Sequence, residues 1–231
     1  IPPGGTGFLR EALSKEGLKA IASLSLLYVF VAVFWSLFDQ SATAWVLQAD
    51  RMDRQWLGVE WKASQMQAVN ALYILILIPL FNVVIYPAAG RFVKVTPFRK
   101  ISVGLFLMAG TFWLTAQIER WLQAGETVHV LWQILAYLPL TASEVLVSPT
   151  CLEFSYSQAP RKMKSFIMSL YLLTVTAGNL LAGQVNSWID DGTLELSGVA
   201  YFQFFTWLMF GAAVLFCFVP YIYRGREYVQ E

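Results

Sequence analysis

Six apolar runs, each long enough to cross a bilayer, constrain this chain more than any other feature. At about 1.5 Å of helical rise per residue, roughly 20 apolar residues span a hydrocarbon layer about 30 Å thick. Such runs occupy residues 20–48, 64–89, 99–123, 128–157, 164–190 and 198–223. Several exceed the minimum, so tilt, kinks or protruding ends are expected. The bilayer core offers no water to bond backbone amides, and a helix satisfies them within each segment. The sequence therefore predicts an all-α membrane protein of six transmembrane helices.

Composition narrows the function. The chain is 57% hydrophobic and only 13% charged, far from the balance of a water-soluble domain. A net charge of +1 provides no basic stripe to neutralise phosphates, which excludes a nucleic-acid partner. Cys151 and Cys217 both fall inside apolar runs, where they are expected to be buried as small apolar side chains rather than joined. Neither a cleavable signal peptide nor a low-complexity tail is visible. Because the chain opens at Ile1-Pro-Pro-Gly-Gly, it reads as part of something longer.

Basic residues set the expected orientation. Arg10, Lys15, Lys19, Arg91, Lys94, Arg99, Lys100, Arg161, Lys162, Lys164, Arg224 and Arg226 fall on one side, against Arg51, Arg54, Lys62 and Arg120 on the other. This asymmetry predicts a multi-pass protein of the plasma or bacterial inner membrane with both chain ends cytoplasmic. Residues 1–19 read as a cytoplasmic linker in which a short charged helix from Phe8 ends at Gly17. Residues 20–223 form the bundle and 224–231 a cytoplasmic tail. The Asp50–Lys62 connection alternates charge with tryptophan, and Asp190–Gly198 is an acidic, glycine-punctuated turn. Trp56, Trp61, Trp121 and Trp188 suit the membrane interface, and His129 is expected as a solvated residue at the start of the fourth run.

Against this apolar background, a few polar residues stand out. Glu144 lies mid-run between Pro139 and Pro149. An ionised carboxylate at that depth costs roughly 3 kcal/mol or more, so it is expected to face a polar cavity, a cation or a proton. On a helix Thr141, Glu144, Ser148 and Cys151 share one face, and Pro149 cannot donate to the Val145 carbonyl. Asp39 is the second deep acid, with Trp35 and Phe38 on its face and Gln40 and Thr43 beside it. Asn70 offers an amide that both donates and accepts. In the fifth run Tyr171, Thr174 and Gly178 line one face, Asn179 is adjacent, and Ala177, Ala182 and Gly183 are small enough for close helix approach. A lone amide or hydroxyl in a membrane helix more often holds helices together than it touches a ligand, and that discount applies to Thr174, Asn179 and Ser148. Glu153, near the cytoplasmic mouth, is within reach of water, Arg161 or Lys162.

Metal-ligand spacing, a nucleophile with its base and a glycine-rich phosphate loop are all missing, so neither an enzyme nor a cofactor is expected. Two separated deep acids beside aromatics and an amide point instead to proton-linked movement of a solute. Two other readings stand beside it: a carrier of nitrate or another small anion, which Glu144 would repel, and a membrane scaffold that moves nothing.

The residues at these positions fall into blocks. Phe34-Trp-Ser-Leu-Phe-Asp-Gln40, Gln65-Met-Gln-Ala-Val-Asn70, Glu144-Val-Leu-Val-Ser148, Leu152-Glu-Phe-Ser-Tyr-Ser-Gln-Ala-Pro160 and Met163-Lys-Ser165 follow one another in order and spacing. In these the chain resembles the C-terminal half of a proton-dependent oligopeptide transporter of the major facilitator superfamily. The resemblance implies the C-terminal bundle of a twelve-helix fold, whose two six-helix bundles rock about a central site. It implies that Glu144 and Asn70 hold the amino terminus of a di- or tripeptide while Trp35, Phe38, Ser148 and Tyr171 shape side-chain pockets. Asp39 and Glu144 would couple protons, Asp39 through a salt bridge to an arginine of the N-terminal bundle. Tyr171 stands where many members carry tryptophan, a departure that bears on the size of one pocket. The acidic and basic motif of the family's first helix lies outside this sequence, so half a site and a partner N-terminal bundle are expected.

Overall fold

The computed structural model describes residues 12–223. The expectations for Arg10, Arg224 and Arg226, for the Pro/Gly opening and for the tail at 224–231 fall outside those residues, as does the side chain of Arg161. Six helical spans are present, at Lys15–Asp50, Ala63–Gly90, Pro97–Gln123, Leu131–Gln158, Lys164–Asp190 and Val199–Ile222. The largest departure from the hydropathy reading is the start of the first span. There the Ser14 hydroxyl accepts from the Gly17 amide at 3.0 Å and Glu16 occupies the first turn, which together cap a new helix. Gly17 thus lies in the first turn of the span that begins at Lys15, instead of ending a separate linker helix. The last residues of the expected 1–19 linker are continuous with the membrane helix.

Interruptions in the spans follow the sequence chemistry. The first span is α-helical from Lys15 to Phe38, tightens into one 3-10 turn at Asp39–Ala42, and resumes at Ala44–Asp50. Asp39 consequently sits at a break. The second span contains a π turn, Phe81–Ile85, bracketed by Pro79 and Pro87. Within it the Tyr86 amide bonds back five residues to the Phe81 carbonyl, a widening that accommodates a proline lacking its own donor. The fourth span runs unbroken through Pro139 and Pro149. The carbonyls of Leu135 and Val145 necessarily lose their helical donors there.

The third span packs against the fourth and the sixth, the first against the fifth, and the second against the fourth. Phe34, Trp45, Phe112, Tyr137, Phe205 and Phe216 are fully buried where these helices meet. The second and fifth spans are the least covered. Cys151 is buried as expected, whereas Cys217 lies on the outward face near the end of the sixth span; both thiols are free.

The connection after the first span is more ordered than its length predicts. Gln55–Trp56 and Val59–Glu60 form a two-stranded antiparallel hairpin whose turn residues Leu57 and Gly58 both have positive φ, as a two-residue hairpin loop requires. Arg54 fastens it by donating to the carbonyls of Ala49, Asp50 and Trp61. Asp53 pairs with the chain at Val128 and Val130, and His129 completes the contact. Its Nδ1 accepts from the Leu131 amide at 3.1 Å, so Nε2 carries the proton and donates to the Gln55 carbonyl at 2.8 Å. His129, partly exposed at the start of the fourth span as expected, is also a tether between two connections. After the fifth span the Thr193 hydroxyl, and with it the Thr193 amide at 3.0 Å, hold the Asp191 carboxyl below the usual carboxylate range.

Candidate functional site

The deep acid of the fourth span finds its partner in the second. Asn70 Nδ2 donates to Glu144 Oε2 at 3.2 Å, and Asn70 Oδ1 faces the Thr141 hydroxyl at 2.5 Å. The same hydroxyl lies 2.8 Å from the Tyr137 carbonyl, one turn back, so its single hydrogen is shared between two acceptors. Thr141 is buried, whereas Glu144 and Asn70 are half-buried. One turn further, Ser148 and the Tyr171 hydroxyl approach to 3.1 Å, and Tyr171 also lies 3.2 Å from the Ser148 carbonyl. Tyr171 stands edge-on to Tyr28 at 6.2 Å between ring centres, which brings the fifth span to the first. The helical spacing of Thr141, Glu144 and Ser148 therefore becomes a polar strip with a partner at each step.

Around Asp39 the walls are aromatic. Trp35 and Phe38 meet edge-on at 5.3 Å, with Phe34 behind both. Asn179 of the fifth span reaches the Asp39 carboxylate. That reach depends on Gly178, because a Cβ there would stand 2.6 Å from the Ala32 carbonyl oxygen and 2.8 Å from Trp35 Cβ. Gly178 thus permits the close approach that its size predicts, whereas Gly183 opens on empty space. Thr174 bonds locally to the Tyr171 carbonyl at 2.6 Å, and Gln40 turns into the core, donating to the Ser36 carbonyl at 2.8 Å. Neither joins the strip.

Among the described residues neither Asp39 nor Glu144 has an ion-pair partner; the three ion pairs, Arg51–Glu119, Arg54–Asp50 and Arg54–Glu60, all lie toward the opposite end from Lys94 and Lys100. Among those residues no cluster is suited to a metal.

One polar group was not anticipated. Glu119 of the third span is 1% exposed and is paired with Arg51 at 2.5 Å. Gln48 donates to the same carboxylate at 3.0 Å and to the Thr115 carbonyl at 3.2 Å, while Gln133 donates to the Trp45 carbonyl at 2.9 Å. The available signal was three long polar side chains at similar depth near the ends of three apolar runs.

The family description PTR2: POT family matches residues 7–208. The chain belongs to the POT family. Over 219 residues, 88% of its length, this POT chain is 31% identical to Peptide transporter PTR2 of Saccharomyces cerevisiae, of which it spans 33%. Among solved structures it superposes on an auto-inhibited POT family peptide transporter with a TM-score of 0.82 and 36% identity, covering 94% of this chain and 43% of that one. On the POT family transporter PepTSo the values are 0.83 and 35%, covering 93% and 44%. The POT chain thus spans between a third and a half of these relatives, and its six helices form one bundle of the family's fold. These relatives are transporters, not enzymes.

Proposed function

We propose that this chain supplies the C-terminal half of a proton-coupled symporter that carries di- and tripeptides by alternating access. The observation that carries the reading is Glu144, a mid-span carboxylate oriented by Asn70 and met by no cation of the described residues. An acid held in place with one oxygen bonded and no resident counter-ion suits a peptide ammonium, which would form a charge-assisted contact with it. The names of the relatives, peptide transporters of yeast and of solved structure, support the same substrate class.

In this reading Asn70 and Glu144 hold the amino terminus, and Trp35, Phe38, Ser148 and Tyr171 line the side-chain pockets. Asp39 exchanges a salt bridge to an N-terminal-bundle arginine for a proton. Only states with that bridge broken reorient, so proton binding and movement are linked. The partner is the N-terminal six-helix bundle, and the excess of Lys and Arg on one side supports a cytoplasmic location for both ends of this chain.

The test is dipeptide uptake by the intact protein in proteoliposomes under an imposed pH gradient. Accumulation that follows the inward proton gradient is expected, and uptake indifferent to it rejects the coupling. Gradient-driven nitrate uptake without peptide uptake would favour the anion reading.

A further inference from the structure

A slot of about 290 Å³ opens between the second and third spans, beside the connection that joins them. Phe81, Ile85, Val103, Leu107 and Leu146 line it, so its interior is apolar. The π turn at Phe81–Ile85 provides one wall, since the wider turn displaces this stretch of helix from regular packing. At the rim stand Lys94, Arg99 and Lys100, and among the described residues none of the three forms an ion pair. Arg99 donates to the Lys94 carbonyl at 2.8 Å, and Lys100 Nζ lies 4.0 Å over the Tyr86 ring. Glu153 is the acid near Tyr86, and against its one negative charge Lys94, Arg99 and Lys100 keep the rim net positive. Phe92, 88% exposed, projects from the same connection, as aromatic residues do at a membrane interface.

We propose that this slot holds an acyl chain of an anionic phospholipid whose phosphate rests on Lys94, Arg99 and Lys100. The apolar interior alone would accept any lipid tail, because lipid is as apolar as the wall. The sign of the rim makes the selection: unpaired cations at the end of two spans lie where phospholipid phosphates lie, and each basic side chain attracts anionic headgroups. The inference is independent of what the protein transports.

The intact protein, stripped of co-purifying lipid in detergent, is titrated with phosphatidylglycerol, with phosphatidylcholine of the same chains and with glycerol phosphate. Bound molecules are counted by native mass spectrometry. Phosphatidylglycerol should bind at least about tenfold more tightly than phosphatidylcholine, and glycerol phosphate weakly. Lys94→Gln and Lys100→Gln should each weaken phosphatidylglycerol about fivefold, the first without disturbing the Arg99 bond to the Lys94 backbone. Val103→Trp, at an outward-facing position, should displace the lipid by filling the slot; an unchanged melting temperature shows that each variant is folded. Equal binding of the two lipids, or phosphatidylglycerol binding that survives either lysine change or Val103→Trp, overturns the proposal. So does glycerol phosphate binding as tightly as the lipid, which would make the rim a site for soluble anions. Failure of any lipid to bind because the rest of the intact protein fills the slot overturns it equally.

Discussion

Asn70 donates to Glu144 across 74 residues of sequence, and its other amide atom faces Thr141 on the same helix as the acid. Both faces of one amide are thus occupied by the fourth span, and its orientation is fixed by the pair. Glu144 is bonded through Oε2 alone among the described residues. A half-buried carboxylate with one oxygen held and the other available is positioned, yet still able to take a new donor.

Glu144→Gln separates charge from shape. Glutamine keeps an acceptor for Asn70 but loses the proton exchange and the charge. In the intact protein, gradient-driven accumulation of dipeptide should fall to the undriven level, with peptide affinity weakened roughly 10- to 100-fold, the worth of a charge-assisted hydrogen bond. Peptide counterflow should persist at raised substrate concentration. Full accumulation by the variant, measured with labelled dipeptide in proteoliposomes, would remove Glu144 from proton coupling.

Trp35→Ala acts on the pocket and not on the acids. The indole contacts Phe34 and Phe38 and bonds to neither Asp39 nor Glu144, so its removal opens space beside them and leaves both carboxylates in place. Uptake ratios among dipeptides with small and bulky side chains should shift by roughly tenfold, on the scale of apolar pocket discrimination. The pH optimum should stay where it was. Competition assays over a peptide panel check this, and unchanged ratios would deny Trp35 a place in the pocket.

The number of spans and the shared face of the fourth-span candidates were legible because each rests on a local rule. Apolar run length reports transfer into lipid, and a 3.6-residue period put Thr141, Glu144 and Ser148 on one face, where they are found. Which residue of another helix would meet them was a different matter. Arg51 reads from sequence as a loop cation and Glu119 as the end of a span, yet the two join across 68 residues. Helix-to-helix contact of that kind leaves no periodic trace. The tethering role of His129 escaped for a similar reason, since the hairpin it anchors is stabilised by pairing with a distant connection. Gly17 misled because a glycine ends many helices, but here Ser14 had already capped a new one.

Gly178→Ala should loosen the contact between the first and fifth spans. The added methyl would meet the Ala32 carbonyl at 2.6 Å and the Ser36 amide nitrogen at 2.7 Å, both backbone atoms that cannot rotate away. Overpacking of this sort costs about 1–3 kcal/mol. Thermal melting in detergent should fall accordingly, and Gly183→Ala, which meets nothing within 4 Å, serves as the silent control. Equal melting of both variants with the parent would mean that the helices are not in this contact.

Arg51→Ala tests the group that joins the ends of the first and third spans. The pair is asymmetric, with the arginine side chain 51% exposed and the glutamate 1% exposed. Removing the arginine strands a buried carboxylate that retains one donor from Gln48 and has a second oxygen already without a partner. A fully enclosed pair broken in this way costs several kcal/mol; with one partner half in solvent the expected loss is about 2 kcal/mol. Adding Glu119→Leu to Arg51→Ala removes the stranded charge and should recover part of that loss, since an apolar replacement of similar size is often tolerated where a lone charge is not. Melting curves of the single and double variants supply the comparison. If Arg51→Ala melts with the parent, the ion pair contributes nothing and these span ends are held by Gln48, Gln133 and the aromatic packing around Trp45.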